Sequence, residues 1–429
     1  MTKRQLAIIT SVVMAFCVGC TGKGNTPENE KTTRRNDIPI DTALRSRLVA
    51  FGAQPRPVGK FAFHVYDITA DKPVYGVNDS LALPSASCMK LLSGIAGLHL
   101  LGCDYHYWTA IFLRGNVASD GTLKGDLAFK AGLDPQLLAP DLGEFAKVVR
   151  KKGVKRVGGK VYVDLTINEP VKSEEHWYPW DLTFSKYGLF YKGSDKVVKA
   201  LKASLRGNGI AVADSQIVFK PTTRDFRCLY VSRRQIGEVI KRMWKNSSNT
   251  QATAMLYTIG NKVNPKGDPV TSGVDYLRKF LVEKLALTDS SLVVHDGCGL
   301  CTHNRLSPIA LTSVLRFGYE DPRIRKMLEQ HLAVAGVDGT LAREMTGGLT
   351  RGKIKAKTGT LSHPYGISSL AGLCEGANGH VLAFAIMDSE MSVLDARVLQ
   401  RRLCEALVRP AKDKKQKVLT CRGVKGRVP

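Results

Sequence analysis

Acidic residues are scarce in this 429-residue chain: 38 Asp and Glu stand against 63 Lys and Arg, a formal charge of +25. That imbalance says nothing about fold. It suits nucleic acid as one partner, but the basic residues are spread along the chain without a zinc-finger, homeodomain or RNA-binding signature, so no nucleic acid is expected. Anionic polymers and lipid head groups suit the charge equally well, and so does a uniformly basic proteome. Long apolar runs are also missing beyond the N-terminus. None reaches the roughly 18 residues of a spanning helix. Internal repeats are absent, which excludes a solenoid. What is present is a hydrophobic content of 44%, enough for a large core. The length calls for two domains, or one interrupted by another.

Three short motifs lie in order: Ser87-Cys88-Met89-Lys90, Ser247-Ser248-Asn249 and Lys357-Thr358-Gly359. Each is weak alone, since a chain this rich in lysine produces Ser-x-x-Lys about twice by chance. Order, spacing and surroundings carry the meaning. Amide hydrolysis without a metal needs a nucleophile, a base, an oxyanion hole and an acid for the leaving group. Cys88 to Leu101, rich in Leu, Ala and Gly, reads as a buried helix opening just after Ser87. A serine there has free backbone N–H groups beside it, and the residue three positions on lies one turn later on the same face. Ser87 is therefore the candidate nucleophile. Lys90 is its candidate base, given burial and a second cation, Lys357, to lower its pKa. Ser247 would relay a proton to the leaving amine, and Asn249 would hold the substrate's backbone amide. Lys357, Thr358 and Thr360 fall on a predicted edge strand able to hold an extended peptide, with Gly359 admitting its backbone. This is the chemistry of enzymes that acylate themselves on D-Ala-D-Ala peptides and β-lactams, and it calls for no metal and no cofactor.

The first twenty residues read as an export signal. Lys3 and Arg4 precede an apolar stretch from Leu6 to Val18, too short for a comfortable membrane span. Cys17-Val18-Gly19-Cys20 resembles a bacterial lipoprotein box, with Cys20 as the lipidated residue and Cys17 where Leu is usual. An ordinary signal peptide cleaved nearby is the alternative. Residues 21–38 are polar and apolar-poor, a flexible tether. The expectation is an exported protein, lipid-anchored in the cell envelope and facing the periplasm. Ten cysteines occur in all; apart from Cys17 and Cys20, eight remain, and about a hundred disulfide pairings are open to them.

Further along, residues 41–52 carry helical spacing and Lys60 to Thr69 alternates like a strand. Residues 106–227 change character, with short β-like runs at Lys160–Leu165 and Gln216–Phe219 around the helical Leu142–Lys151, and form the candidate insertion. Gln235 to Trp244 is an amphipathic helix leading to Ser247, followed by another from Thr253 to Ile259. Val274–Leu287, Leu311–Phe317 and Val393–Val408 read as helices. Ile354–Leu361, Gly366–Cys374 and His380–Met387 read as strands. The domain reading is thus 39–105 and 228–410 for one split domain, 106–227 for the insertion, and a basic tail at 411–429.

With these segments in place, Pro84-Ser85-Ala86-Ser87-Cys88-Met89-Lys90-Leu91 resembles the Pro-Ala-Ser-x-x-Lys-Leu segment of the class C low-molecular-mass penicillin-binding proteins, D-alanyl-D-alanine carboxypeptidases/endopeptidases. Gly132-Leu133-Asp134-Pro135 is similar to their Gly-Gly-Asp-Pro segment, which makes Asp134 a candidate substrate-binding residue. His295-Asp296-Gly297-Cys298-Gly299-Leu300-Cys301 resembles their Asp-Gly-Ser-Gly-Leu-Ser loop, and Ala335 to Leu341 matches another of their signatures. The resemblance runs from about residue 40 to 408. It implies an α+β fold: a β-lactamase/transpeptidase-like domain, an antiparallel sheet flanked by helices, interrupted by a smaller inserted α/β domain. It also implies peptidoglycan stem peptides as substrates, β-lactams as covalent inhibitors, and an acyl-enzyme passed to water. A β-lactamase of the same fold and a catalytically weak peptidoglycan-binding lipoprotein are the alternatives; no general-base Glu motif supports the former.

The departures point to where this chain differs. Cys298 and Cys301 replace both serines of the loop, and Thr302 stands where relatives often have Arg near the pocket for an acidic stem-peptide side chain. A preferred third stem residue without a free carboxylate is the expectation. About three extra residues occur around Ser362-His363-Pro364-Tyr365. His295, Cys298, Cys301 and His303 form a cluster of soft ligands open to three readings: zinc, a local disulfide, or free thiols in place of serines. Structural zinc sites usually draw ligand pairs from well-separated segments, which weighs against the first.

Overall fold

The computed structural model describes residues 38–54, 58–183, 185–363 and 366–410. The expected signal segment, Cys20, residues 21–37 of the tether, the basic tail and Pro364-Tyr365 lie outside them.

Alternating side chains build the main sheet from both ends of the chain. Six antiparallel strands run in the order Ala333–Val334, Ile354–Leu361, Ile367–Glu375, Val381–Ser389, Lys60–Asp67, Lys72–Val77. The N-terminal strand is locked beside the C-terminal one, Lys60 opposite Ser389 and Asp67 opposite Leu382. Along these strands large residues (Phe61, Phe63, Val65, Phe384, Ile386) face one side and small ones (Ala62, Ala383, Ala385) the other. The large side packs on helices Thr42–Gly52 and Val393–Val408 through Leu44, Leu48, Leu403 and Leu407. The alanines let helix Pro308–Glu320 lie close against the opposite face. Ile367–Glu375 and Val381–Ser389 are buried on both faces; residues 381–387 are accordingly apolar throughout, while Ser368 and Ser369 are buried with hydrogen-bond partners in Gln400 and the Ser85 carbonyl.

The helical half surrounds Met89–Leu101, whose first ten residues are all buried. A helix apolar all round has to be central. Around it, Asp268, Ser307 and Asp321 each cap a helix whose first residue is proline, so the loops end where orphan N–H groups find an acceptor.

The insertion has its own mixed sheet. His106–Val117 and Thr122–Ala131 form a long hairpin, and Val161–Leu165 and Ile217–Val218 add in parallel. Helices Leu142–Lys151 and Ser194–Gly207 accompany it. This sheet does not end at residue 227. Arg227–Gln235 pairs antiparallel with His106–Val117, bringing Gln235 opposite His106. The strand hides in the sequence because none of its residues is fully buried, so it lacks an apolar face. The chain thus enters and leaves the insertion on neighbouring strands. The fold is α+β, a transpeptidase-like domain with a separate mixed sheet.

Candidate active site

Ser87 sits in the short turn Ala86–Cys88 that leads into the central helix. Ala86 before it has φ of 43°, and Ser247 has φ of 58°. Left-handed backbone in residues with a Cβ is costly, and such strain concentrates at functional sites. Both serines line one cleft of about 350 Å³ together with Thr340, Thr358, Gly359 and Thr360.

Lys90 is fully buried, and its Nζ lies 2.6 Å from Ser87 Oγ, 2.7 Å from Asn249 Oδ1 and 2.6 Å from the Cys298 carbonyl oxygen. As an ammonium it donates to all three. Once a proton is lost, the two carbonyl oxygens have none to give, so both remaining N–H bonds are used there. The lone pair is left facing the Ser87 hydroxyl, the one partner that can donate. Burial pushes the Lys90 pKa down to about 8, against the opposing pull of nearby acidic groups. Trp244, on helix Ile236–Lys245, donates its indole N–H to the Lys90 carbonyl at 2.7 Å and anchors this turn.

Lys357, also fully buried, donates to Ser247 Oγ at 2.8 Å and to the Thr358 carbonyl at 2.5 Å. Burial, then the positive charge of Lys90, hold its pKa well below the ordinary lysine value. Thr358 Oγ1 lies 2.8 Å from Thr340 Oγ1, which ties the Ala335–Leu341 signature to the cleft. On its outer side, strand Ile354–Leu361 is paired at Lys355 and Ala356 by the short strand Ala333–Val334, and the Ala335 N–H donates to the Ile354 carbonyl. From Lys357 onward that edge is open, with Thr360 exposed upon it. Gly359 is required by the protein itself. A Cβ there would lie 2.1 Å from Ser369 Oγ and 2.9 Å from the Ser85 carbonyl, so the glycine admits the turn that carries the nucleophile.

The loop around Asp296 supplies the carbonyl held by Lys90. The buried Asp296 carboxylate accepts from the N–H groups of Cys298, Gly299 and Cys301, from Asn304 Nδ2, and from the Trp177 indole of the insertion. Gly299 has φ of 79°, and a Cβ there would overlap the Ala86 carbonyl. Asp296, Trp177, Trp244 and the Cys298 carbonyl were not singled out by sequence as parts of this machinery. A carbonyl has no residue signature, Trp177 lies far from any motif, and Trp244, three residues before Ser247, reads in sequence only as an apolar position of its helix.

Asp134 is placed differently from the expectation. Its carboxylate is buried and committed to Arg234 Nε at 2.7 Å and the Gln136 N–H at 2.9 Å. Next to it, Gln136 Nε2 donates to Gln251 Oε1 at 3.0 Å, so the segment docks on the helix that begins with Asn249. Asp134 thus braces the insertion strand Arg227–Gln235 and does not line the cleft with Ser87. Thr302 opens on a separate cavity of about 240 Å³ that Arg305 also lines. That cavity shares no lining residue with the Ser87 cleft, and Arg305 supplies it with a guanidinium.

Among the described residues all seven cysteines are free thiols. Cys298 is turned inward and buried, and burial raises its thiol pKa well above the usual value. Cys88 packs beside the cleft with its Sγ 3.2 Å from the Lys357 carbonyl oxygen.

Converging in this way, the three motif segments set a serine hydroxyl beside a buried lysine amine at an open strand edge, the arrangement of a serine-type hydrolase. The chain belongs to the D-Ala-D-Ala carboxypeptidase 3 (S13) family, whose model matches residues 44–187 and 191–408, and it is a serine-type D-Ala-D-Ala carboxypeptidase on that basis. It is 23% identical to the D-alanyl-D-alanine carboxypeptidase of Actinomadura sp. (strain R39) over 76% of this chain and 77% of that one. It is 22% identical to the D-alanyl-D-alanine carboxypeptidase DacB of Haemophilus influenzae, covering 75% of this chain and 84% of the relative. The crystal structure of penicillin binding protein 4 (dacB) from Haemophilus influenzae superposes with a TM-score of 0.69 at 17% identity, over 84% of this chain and 98% of that one. A predatory endopeptidase from Bdellovibrio bacteriovorus, Bd0816, superposes at 0.56 with 18% identity, over 81% and 92%.

Proposed function

We propose that this carboxypeptidase hydrolyses peptidoglycan stem peptides through an acyl-enzyme on Ser87, and that β-lactams trap the same serine. The observation that carries the reading is Lys90: buried, with its pKa lowered to about 8, and bonded so that its lone pair faces only Ser87. In the first step the Ser87 oxygen bonds to the carbonyl carbon of the penultimate D-Ala, and the hydroxyl proton passes to neutral Lys90. The C–N bond to the terminal D-Ala then breaks as that nitrogen is protonated, with Ser247, held by Lys357, as the relay. Asn249, besides fixing Lys90, holds the substrate amide. Lys357, Thr358 and Thr360 receive the terminal carboxylate and the extended backbone along the open strand edge. Water, deprotonated by Lys90, finally attacks the ester carbon, and the C–O bond breaks as Lys90 returns that proton to the Ser87 oxygen. An endopeptidase reaction differs only in the leaving amine and uses the same acyl group.

Labelling with a fluorescent penicillin tests the reading. Stable labelling that disappears in Ser87→Ala is expected. Rapid release of the label would favour a β-lactamase, and no labelling at all a binding protein.

The N-terminal sequence supports, as part of the same proposal, export and lipid anchoring at Cys20 in the cell envelope, facing the periplasm. Incorporation of a labelled fatty acid that is lost in Cys20→Ala is the expected result. Equal incorporation, or none in the wild type, would refute anchoring at this residue. Among the described residues no helix is long and apolar enough to cross a membrane.

A further inference from the structure

Four side chains from two distant segments meet at the seam between the insertion and the Asp296 loop. Glu174 and His176 come from the insertion, His295 and Cys301 from the loop, and one potential ligand atom of each lies within 4.8 Å of all the others. His176 Nδ1 is 2.9 Å from Glu174 Oε1, and His295 Nδ1 is 3.5 Å from the same oxygen. The His303 ring lies against that of His176, with centroids 4.0 Å apart. None of these residues lines the cleft with Ser87.

We propose that Glu174, His176, His295 and Cys301 bind a zinc ion that staples the insertion to the catalytic loop. Two imidazoles, a thiolate and a carboxylate are a four-ligand set suited to tetrahedral zinc; hard cations such as magnesium and calcium call for oxygen ligands throughout. Ideal zinc bond lengths put these tetrahedral ligands about 3.3–3.6 Å apart, so side-chain rotations that move the ligand atoms by about 1 Å close the present arrangement. The thiolate and carboxylate together cancel the charge of the ion, and binding releases the Cys301 proton to solvent. Entry is open, because the His176 and His295 side chains are 31% and 29% exposed.

The objection that weighed against zinc in the sequence was a ligand set confined to one short loop. The fold removes it by bringing in Glu174 and His176 and by turning Cys298 away. The position also gives the ion a task. Trp177, next to His176, donates to Asp296, and Asp296 fixes the loop whose Cys298 carbonyl meets Lys90. The ion would therefore hold the seam on which that carbonyl depends.

The test uses the full chain, stripped with a chelator and titrated with Zn²⁺ against a chromophoric competitor. About one ion per chain is expected. Cys301→Ser and His176→Ala should each weaken binding by more than the roughly 10–100-fold that outer-shell partners cost. Cys228→Ser, an exposed thiol elsewhere on the insertion, should bind as the wild type does. Co²⁺ in place of zinc should give a thiolate-to-cobalt absorption that vanishes in Cys301→Ser. Thermal melts of the metal-free proteins establish that the variants fold, and added Zn²⁺ should raise the melting temperature of the wild type but not of these two variants. Failure of the wild type to bind, or unchanged affinity in both ligand variants, overturns the proposal. Penicillin labelling of Ser87 is read separately, so the catalytic reading and the zinc site stand or fall independently.

Discussion

If Lys90 is the base for Ser87, acylation should follow the neutral fraction of this one amine. An ordinary lysine with a pKa of 10.5 is almost wholly protonated at neutral pH; lowering it to about 8 makes the neutral form about 300-fold more abundant there. The neutral fraction is then about 1% at pH 6, about 9% at pH 7 and about 50% at pH 8. The sign follows from the role: a base must be unprotonated, so the rate rises with pH through about 8 and then levels. The second-order rate of acylation by a fluorescent penicillin, measured by stopped flow between pH 6 and 9, should climb nearly tenfold over the first unit and about fivefold over the second. Lys90→Arg keeps a cation near Ser87 but cannot shed its proton, and should abolish labelling while the fold, read by thermal melting, persists. A flat profile, an inflection below pH 6.5, or an arginine variant that acylates normally would refute the assignment.

Three further outcomes follow from the packing. Asp134→Ala leaves the Arg234 guanidinium, 23% exposed, with only the exposed Glu238 as an ion-pair partner and frees the Gln136 N–H; a loss of about 1–3 kcal/mol in chemical denaturation is expected, with acylation by the folded fraction nearly unchanged. A large fall in acylation at full stability would instead restore a substrate-binding role for Asp134. Gly359→Ala drives a methyl into Ser369 Oγ and the Ser85 carbonyl, and should cost about 1–3 kcal/mol of stability and about 100-fold in acylation by displacing the nucleophile's turn; wild-type kinetics would show that the turn yields freely. A thiol reagent should modify exposed Cys228 fast and buried Cys298 slowly, since burial keeps the latter protonated; rapid modification of Cys298 would contradict its inward orientation.

The sequence made the three motifs legible because each couples a reactive residue to strong local structure. Ser87 precedes a helix apolar on every side, and Lys357 lies in a strand whose bounds, Ile354–Leu361, agree with the sequence reading. Helix Val393–Val408 was equally clear from its periodicity. The long hairpin His106–Ala131 and the strand Arg227–Gln235 were much less so. The first mixes exposed and buried residues without strict alternation, and the second has no buried residue at all. The contact of Asp134 with Arg234 was not legible, because a short acidic segment looks the same whether its carboxylate meets a ligand or an arginine a hundred residues away. Glu174 and His176 carried no signal, since only the fold brings them beside His295.

The pairing of His106 with Gln235 means that the main chain could bypass the insertion with little more than a tight turn, since adjacent antiparallel strands lie only about 5 Å apart. A module joined at so narrow a neck is topologically easy to acquire, enlarge or shed without bending the host domain. Its side chains tell the opposite story, because Trp177 and the Asp134 segment reach back to the very loop and helix that position Lys90. Excision would therefore leave a chain that still connects while its lysine loses alignment, so covalent continuity and catalytic competence part company at this neck.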